Sequence, residues 1–240
     1  MEINKIYNEN CLDTMARMKD NFVDLCITSP PYNTGGQNAQ TGGNRNVYDE
    51  YKDNLTDKEY YNFICNTIEE LLRVTKHYVF FNFQCLTSNK NIYYKLIGEY
   101  HNVIKDIFIW KKHAVSQVVK GKMATGYEFV LILSNKNNKM TFDYNNFPKN
   151  NYVPNIKDFR KKENFHNYNN ATMPIQLAEY FILFFSKKND LIYDSFSGMG
   201  TTACASAKNN RNYIGSEISN KYIIMSNKRI KKYEQQVRMF

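Results

Sequence analysis

What this 240-residue chain lacks narrows it first. Its five cysteines, Cys11, Cys26, Cys65, Cys85 and Cys204, contain no C-x-x-C pair and are odd in number. That argues against both a zinc site and a disulfide framework, and makes a reducing interior the natural compartment. No stretch approaches the roughly 18 consecutive apolar residues of a membrane helix, and the N-terminus, Met1 to Lys5, lacks the apolar segment of a secretory signal. A soluble, cytoplasmic protein with no membrane partner is expected. Tryptophan is almost missing, with one residue against 19 Tyr and 16 Phe. Beside abundant Asn and Lys this matches an AT-rich coding bias, so aromatic richness is not by itself a sign of base stacking.

Acidic residues are also short, 23 against 32 Lys and Arg, giving a formal charge of +9. Such an excess favours a polyanionic partner, although a basic balance alone also describes an ordinary solvated surface. The length allows one large domain or at most two, and a single domain over 1–240 is expected. His113 and His166 have no neighbours that complete a metal set, so no metal site is expected.

Residues 23–33, Val-Asp-Leu-Cys-Ile-Thr-Ser-Pro-Pro-Tyr-Asn, are an apolar β-prone run that ends at Ser29, Pro30, Pro31 and Tyr32. Two consecutive prolines cannot donate to a sheet ladder and fix their own φ, so the carbonyls of Ser29 and Pro30 are held stiffly at the strand exit. Stiff acceptors beside one aromatic ring suit a flat, amino-bearing base: Tyr32 to stack, the Ser29 hydroxyl and Pro30 carbonyl to accept from an NH2 group. The plainer alternative is a Pro-Pro turn closing a buried strand.

A second motif, Asp194-Ser195-Phe196-Ser197-Gly198-Met199-Gly200-Thr201, follows the apolar run Leu191 to Tyr193, and Glu217 ends the next strand-like stretch, Tyr213 to Glu217. Glycines let the backbone approach a ligand, and a carboxylate at that strand end is placed to accept from ribose hydroxyls. NAD is the competing ligand. After Gly198 and Gly200, however, the third position of a G-x-G-x-x-G is Ala203, so the early Ser-Pro-Pro-Tyr strand has to decide.

Ser-Pro-Pro-Tyr early and Asp-x-Phe-x-Gly-x-Gly-Thr late together resemble the S-adenosylmethionine-dependent DNA amino-methyltransferases in the motif order called the β class, nearly end to end. The resemblance implies an α/β, doubly wound, mostly parallel seven-stranded sheet with one antiparallel strand, Rossmann-like. It implies that Ser29, Pro30, Pro31 and Tyr32 are catalytic. Asn10, Cys11, Ala171, Thr172, Pro174, Asp194, Phe196, Gly198, Gly200, Thr201 and Glu217 are implied to bind S-adenosylmethionine. Two positions depart from the family pattern: Asn10 stands where Asp is common, and Asn170 where His is typical. Asn10 can still accept from the adenine amino group, or it caps a helix beside a buried Cys11.

The implied reaction is direct attack of an exocyclic amino nitrogen on the sulfonium methyl, the base having left the duplex stack, with no cysteine adduct. Cys26 then reads as core. Ser at the head of the tetrapeptide leans towards cytosine-N4, with adenine-N6 as the alternative. A non-catalytic nucleic-acid-binding module on the same fold is the rival of another class. DNA is the implied partner, a cognate restriction endonuclease a candidate second one, and the chain a monomer or homodimer.

Along the rest of the chain, Ile3 to Tyr7 reads as a strand and Leu12, Met15, Ala16 and Met18 as a short amphipathic helix. Residues 33–55, with Gly35-Gly36 and Gly42-Gly43 among polar residues, read as a mobile loop able to close over a base. Thr56 and Glu59 form a capping box ahead of a helix of about five turns. Strand-like Tyr78 to Phe83, helical Asn91 to Tyr100, and strand-like Ile107 to Trp110 and Tyr127 to Leu133 then alternate, which predicts a parallel sheet covered on both faces. Lys111, Lys112, Lys120 and Lys122 are expected to touch DNA phosphates, the alternative being a solvated hairpin. A small target-recognition element is expected within 111–126 and 140–170, the latter without periodicity. Pro174 opens a helix to Ser186, Thr201 to Ala207 a second, and 219–237 a basic third.

Overall fold

Strand and helix alternate through the computed structural model as that pattern predicts. The residues it describes are 1–34, 50–51, 53–86, 88–112, 125–136, 152–159 and 172–237. In chain order the elements are β1 (Lys5–Tyr7), α1 (Cys11–Ala16), β2 (Val23–Thr28), α2 (Asp57–Val74), β3 (Thr75–Phe83), α3 (Lys90–Glu99), β4 (Ile104–Lys111) and β5 (Tyr127–Leu133). There follow β6 (Ile156–Asp158), α4 (Ile175–Phe185), β7 (Leu191–Asp194), α5 (Thr201–Lys208), β8 (Asn212–Ser216) and α6 (Asn220–Val237). The strands form one sheet in the order β1-β8-β7-β2-β3-β5-β4-β6. Every neighbouring pair is parallel except β3–β5 and β5–β4, so β5 is the one reversed strand.

The eighth strand exceeds the expected seven. β6 lies in the stretch read as irregular and pairs with β4 at the sheet edge, Ile109 opposite Ile156. Its three residues, Ile156, Lys157 and Asp158, are all exposed, so no buried face imposed a period-two pattern that a sequence could display. Most of the remainder of the expected target-recognition stretches, like most of the loop 33–55, lies outside the described residues.

Side chains alternate across the sheet into two layers. Leu25, Ile27, Phe80, Ile132, Ile192 and Tyr213 pack with α4, α5 and α6. Cys26, Val79, Phe81, Leu131, Tyr193 and Ile214 pack with α1, α2 and α3. Burial on both faces is why these strands read as continuous apolar runs rather than alternating ones. The ring of Phe80 stacks on Phe181 at 4.2 Å, and Phe181 in turn meets Phe108 edge-on at 5.1 Å. At about 1.5–3 kcal/mol for each fully buried large side chain, these layers outweigh any single polar contact in holding the sheet.

Both reciprocal bonds of the capping box are made: the Thr56 N–H donates to Glu59 Oε2 (2.9 Å), and the Glu59 N–H to Thr56 Oγ1 (3.3 Å). Capped there, α2 carries the chain from β2 to β3. On the other side of β2, α5 carries it from β7 outward to β8. The direction of winding therefore reverses between β7 and β2, and in a doubly wound sheet the crevice at the carboxyl ends of such a pair takes the ligand. Both sequence motifs end there, since β2 and β7 are neighbours with Leu25 opposite Ile192 and Cys26 opposite Tyr193.

Gly200 locks α6 against this crevice from behind. Its φ is +69°, and a Cβ there would lie 2.7 Å from Ser226 Cβ on α6. Gly200→Ala combines left-handed strain with overpacking, so urea unfolding should show a loss of roughly 2–4 kcal/mol. An unchanged midpoint would mean that α6 gives way without cost.

Candidate active site

The crevice is built from three strand exits and the start of α1. At the end of β7, Asp194 is buried, its Oδ1 accepting from Thr28 Oγ1 (2.8 Å) and from the Phe196 N–H (3.1 Å). Thr28 Oγ1 also lies 2.9 Å from Ser195 Oγ, so the end of β2 is tied twice to the end of β7. Burial holds the Asp194 carboxyl up at about 6, against the lowering effect of those donors.

Beyond β8, Glu217 accepts from the Gly198 N–H through Oε2 and from the Ser219 N–H through Oε1, both at 2.8 Å. Burial raises its pKa and the two backbone donors oppose that rise. The glycine-rich turn is braced from behind by the buried Arg229, which donates to the Met199 carbonyl (2.9 Å) and Thr201 Oγ1 (3.0 Å). Gly198 has φ +48°, and a Cβ there would meet nothing nearer than the Phe196 carbonyl at 3.9 Å, so it would project into open space beside the cleft. Ser197 Oγ is buried with no hydrogen-bond partner among the described residues. The rings of Phe63 and Phe196 meet edge-on at 5.8 Å and form an apolar wall.

At the β2 exit the chain turns at Asn33, whose φ of +53° is one that Asn tolerates. Its side chain exchanges two 2.8 Å bonds with the backbone of Leu55. Thr34 donates to the buried Asp53 through both its N–H and its hydroxyl. The two ends of the glycine-rich loop are thus clasped together at the cleft. The Pro31 carbonyl accepts from Tyr60 Oη (2.7 Å) and the Tyr32 carbonyl from Asn89 Nδ2 (2.8 Å). Among the described residues no hydrogen bond reaches the Pro30 carbonyl. Tyr32 is only 5% exposed, its ring tilted 51° to Phe83 at 5.9 Å, so it forms a wall of the cleft rather than a free platform.

One cleft is lined by Ser29, Pro30, Pro31, Tyr32, Asn10, Cys11, Thr172, Asp194, Phe196, Gly198, Thr201 and Glu217, which brings together most of the residues expected from the two motifs. Gly200 and Pro174 do not line it: Gly200 packs on α6, and Pro174 is the N-cap of α4. Asn10 uses its side-chain oxygen to cap α1 through the Leu12 N–H (2.9 Å), so the capping alternative describes a bond that is made. Burial pushes the Cys11 thiol up to about 12 and raises Cys26 well above its ordinary value, leaving both as poor nucleophiles. Ala171, Lys120 and Lys122 lie outside the described residues. Lys111 is exposed at the end of β4, whereas Lys112 is turned inward and paired at 2.5 Å with Glu128 Oε1. The charge of Lys112 is thus already paired with a buried carboxylate on the next strand, a partner that the basic run did not announce.

Sequence reasoning missed Asn82 and Glu128. Asn82 Nδ2 lies 2.8 Å from Tyr32 Oη, 2.8 Å from Glu128 Oε2 and 3.2 Å from Ser29 Oγ, and Tyr32 Oη donates to Glu128 Oε2 (3.1 Å). The signal was present: one amide inside Tyr78 to Phe83 and one acid inside Tyr127 to Leu133, each costly to bury without a partner.

A family model for DNA methylases of the N6/N4 type matches residues 23–228. The chain belongs to the DNA methylase family. Among relatives of this DNA methylase, the Type II methyltransferase M.HinfI of Haemophilus influenzae is 28% identical over 95% of the chain and 68% of its own length. The PvuII cytosine-N4-specific DNA methyltransferase has the same fold, with a TM-score of 0.72 at 18% identity, covering 97% of this chain and 92% of that one. M1.HpyAVI, solved as a complex with SAM, aligns with a TM-score of 0.64 at 20% identity, covering 94% and 98%.

The chain is thus an enzyme that methylates the exocyclic amino group of a DNA base, and its methyl donor is S-adenosylmethionine. The cleft fits that donor: a carboxylate for hydroxyls, an unpartnered buried hydroxyl, a glycine opening onto free space, and an aromatic wall. No helix among the described residues is long and apolar enough to cross a membrane.

Asp194 sets a pH signature. It holds its proton more tightly folded, to about 6, than unfolded, near the ordinary 3.8, so its contribution makes stability fall as pH rises from about 4 to about 6. Asp194→Asn keeps an acceptor for Thr28 and Phe196 but has no such slope. Stability of the variant relative to the parent should rise by on the order of 3 kcal/mol across that window, read by urea unfolding at each pH. A pH-independent difference would mean that Asp194 titrates at its ordinary value when folded.

Proposed function

We propose that the methylated atom is the N4 nitrogen of a cytosine extruded into the Ser29–Tyr32 end of the cleft. The observation that supports the placement is the sorting of acceptors at the β2 exit: Pro31 and Tyr32 have their carbonyls occupied, no hydrogen bond among the described residues reaches the Pro30 carbonyl, and Ser29 and Pro30 line the cleft that also holds Asp194 and Glu217. Hydrogen bonds from the amino group to these two acceptors favour a pyramidal, nucleophilic nitrogen, whose lone pair is otherwise delocalised into the ring. S-adenosylmethionine supplies the electrophilic methyl when bound. The protein contributes alignment, worth roughly 7–11 kcal/mol at its upper limit in well-oriented reactions. Ser at the head of the tetrapeptide supports cytosine over adenine. A mass-spectrometric nucleoside digest of DNA treated with the protein should contain N4-methylcytosine, and N6-methyladenine in its place would assign the other base.

For the donor, Glu217 holds the ribose, the Gly198 turn leaves room for it, and Asn10, Cys11, Phe196, Thr172 and Thr201 complete the walls. Glu217→Ala strips the ribose hydroxyls and the Gly198 and Ser219 N–H groups of their acceptor, at about 1–3 kcal/mol per buried unpaired group. Gly198→Val adds a branched side chain at a positive φ. Both variants should bind S-adenosylmethionine at least about 10-fold more weakly by calorimetry, and unchanged affinity in both would remove these residues from the donor site.

Lys111, with Lys120 and Lys122, faces phosphate, and residues within 111–126 and 140–170 read the target sequence. Lys111→Ala should weaken all DNA sequences alike and flatten the logarithmic salt slope by about 0.9. Loss at one sequence with an unchanged slope would instead make Lys111 a base contact. An intracellular setting fits five cysteines that form no disulfide among the described residues. A cognate restriction endonuclease, as the Type II relative suggests, and a monomeric or homodimeric state complete the reading.

A further inference from the structure

Behind the cleft, the hydrogen-bond array Lys112–Glu128–Tyr32–Ser29 has only one consistent direction. Glu128 is 6% exposed, on the reversed strand β5, and Lys112 Nζ sits 2.5 Å from its Oε1. As the partner of an ammonium group, the carboxylate can only accept. Glu128 Oε2 also accepts from Asn82 Nδ2 (2.8 Å), but its 3.1 Å contact with Tyr32 Oη joins two oxygens that would repel without a hydrogen between them, so the single hydrogen of Tyr32 Oη goes to Glu128. With its hydrogen committed, Tyr32 Oη can only accept across the 2.8 Å contact with Ser29 Oγ, which commits the Ser29 hydrogen inward as well. Asn82 Nδ2 donates into the same group from the neighbouring strand, 3.2 Å from Ser29 Oγ, and cannot reverse the order because an amide nitrogen has no lone pair to offer. Ser29 Oγ is left with a lone pair, not a hydrogen, towards the cleft.

We infer that Glu128, fixed by Lys112 and acting through Tyr32, is a positioning residue that keeps the Ser29 hydroxyl an acceptor for the amino group being methylated. The inference rests on the reading of Ser29 given above. A Ser29 hydroxyl free to rotate would point its hydrogen at the incoming NH2 for part of the time, opposing the nitrogen where an acceptor is needed. The direction is thus set two residues away from the reacting atom, by a strand that neither sequence motif includes. Burial supports a role beyond packing: a carboxylate, an amide and a phenol brought together at a strand exit cost desolvation that an apolar trio would not.

Glu128→Gln is nearly isosteric, but its amide either turns a donor towards Tyr32 or turns it towards Lys112, and in both cases the array loses its fixed direction. Single-turnover methylation by the full chain, on a matched duplex and on one mispaired at the target, should slow about 10- to 100-fold for Glu128→Gln. Affinities for S-adenosylmethionine and for DNA should stay unchanged. Tyr32→Phe keeps the ring and removes the link, and should slow the step by a similar factor. The double variant should be no slower than Tyr32→Phe alone, since a cut chain cannot be cut again.

A rate equal to wild type in either single variant would overturn the inference, as would multiplicative losses in the double. If Glu128→Gln fails to fold, Tyr32→Phe alone still decides, because an unaffected rate there leaves Glu128 no route to Ser29. Failure of the wild-type chain to methylate either duplex would overturn the underlying reading of Ser29, and this inference with it.

Discussion

The site depends on the parallel pairing of β2 with β7. Two stretches about 165 positions apart in the sequence become neighbours through the pairs Leu25–Ile192 and Cys26–Tyr193, and Thr28 Oγ1 seals the junction on Asp194 and Ser195. Hydrophobic burial supplies the energy of that pairing, since both strands are covered on both faces. The buried hydroxyl–carboxylate contact supplies its register at the end where the ligands enter. Shifting one strand by a residue would exchange its two buried faces and pull Thr28 away from Asp194.

Polar burial is concentrated where the chemistry is. Asp194, Ser195, Ser197, Thr201, Asn82 and Glu128 are all buried at strand ends or at the start of α5, beside a core made mainly of aromatic and aliphatic side chains. Most are matched by a named donor or acceptor, as desolvation demands. The exception at the glycine-rich turn, Ser197 Oγ, lies on the cleft wall. On the other side of the junction β5, the reversed strand, brings Glu128 against Tyr32, so the one departure from parallel order also brings the residue missed from the motifs into the site.

The two halves of the cleft were unequally legible. Motif spacing made the glycine-rich turn and Glu217 readable, because a positive-φ backbone and a strand-end carboxylate leave local marks. Gly200 shared the motif yet serves the packing of α6, a distinction that only the position of Ser226 reveals. Lys112 showed the same limit from the other side. A lysine in a basic run reads as a phosphate contact, and only the strand beside it reveals the buried acid with which it pairs.

By itself the sequence determined the elements and the two ends of the site: apolar strands buried on both faces, a capping box that starts α2, prolines that end β2, and glycines that shape the turn after β7. These are local rules of backbone geometry and burial, and they act within a few residues. Tertiary structure alone decided the eighth strand, whose exposed residues carry no pattern, and the pairing of Lys112 with Glu128. It also decided the meeting of Asn82, Glu128 and Tyr32 behind Ser29. Those contacts join residues 16 to 96 positions apart, and a polar side chain in a strand declares that it needs a partner without declaring which one.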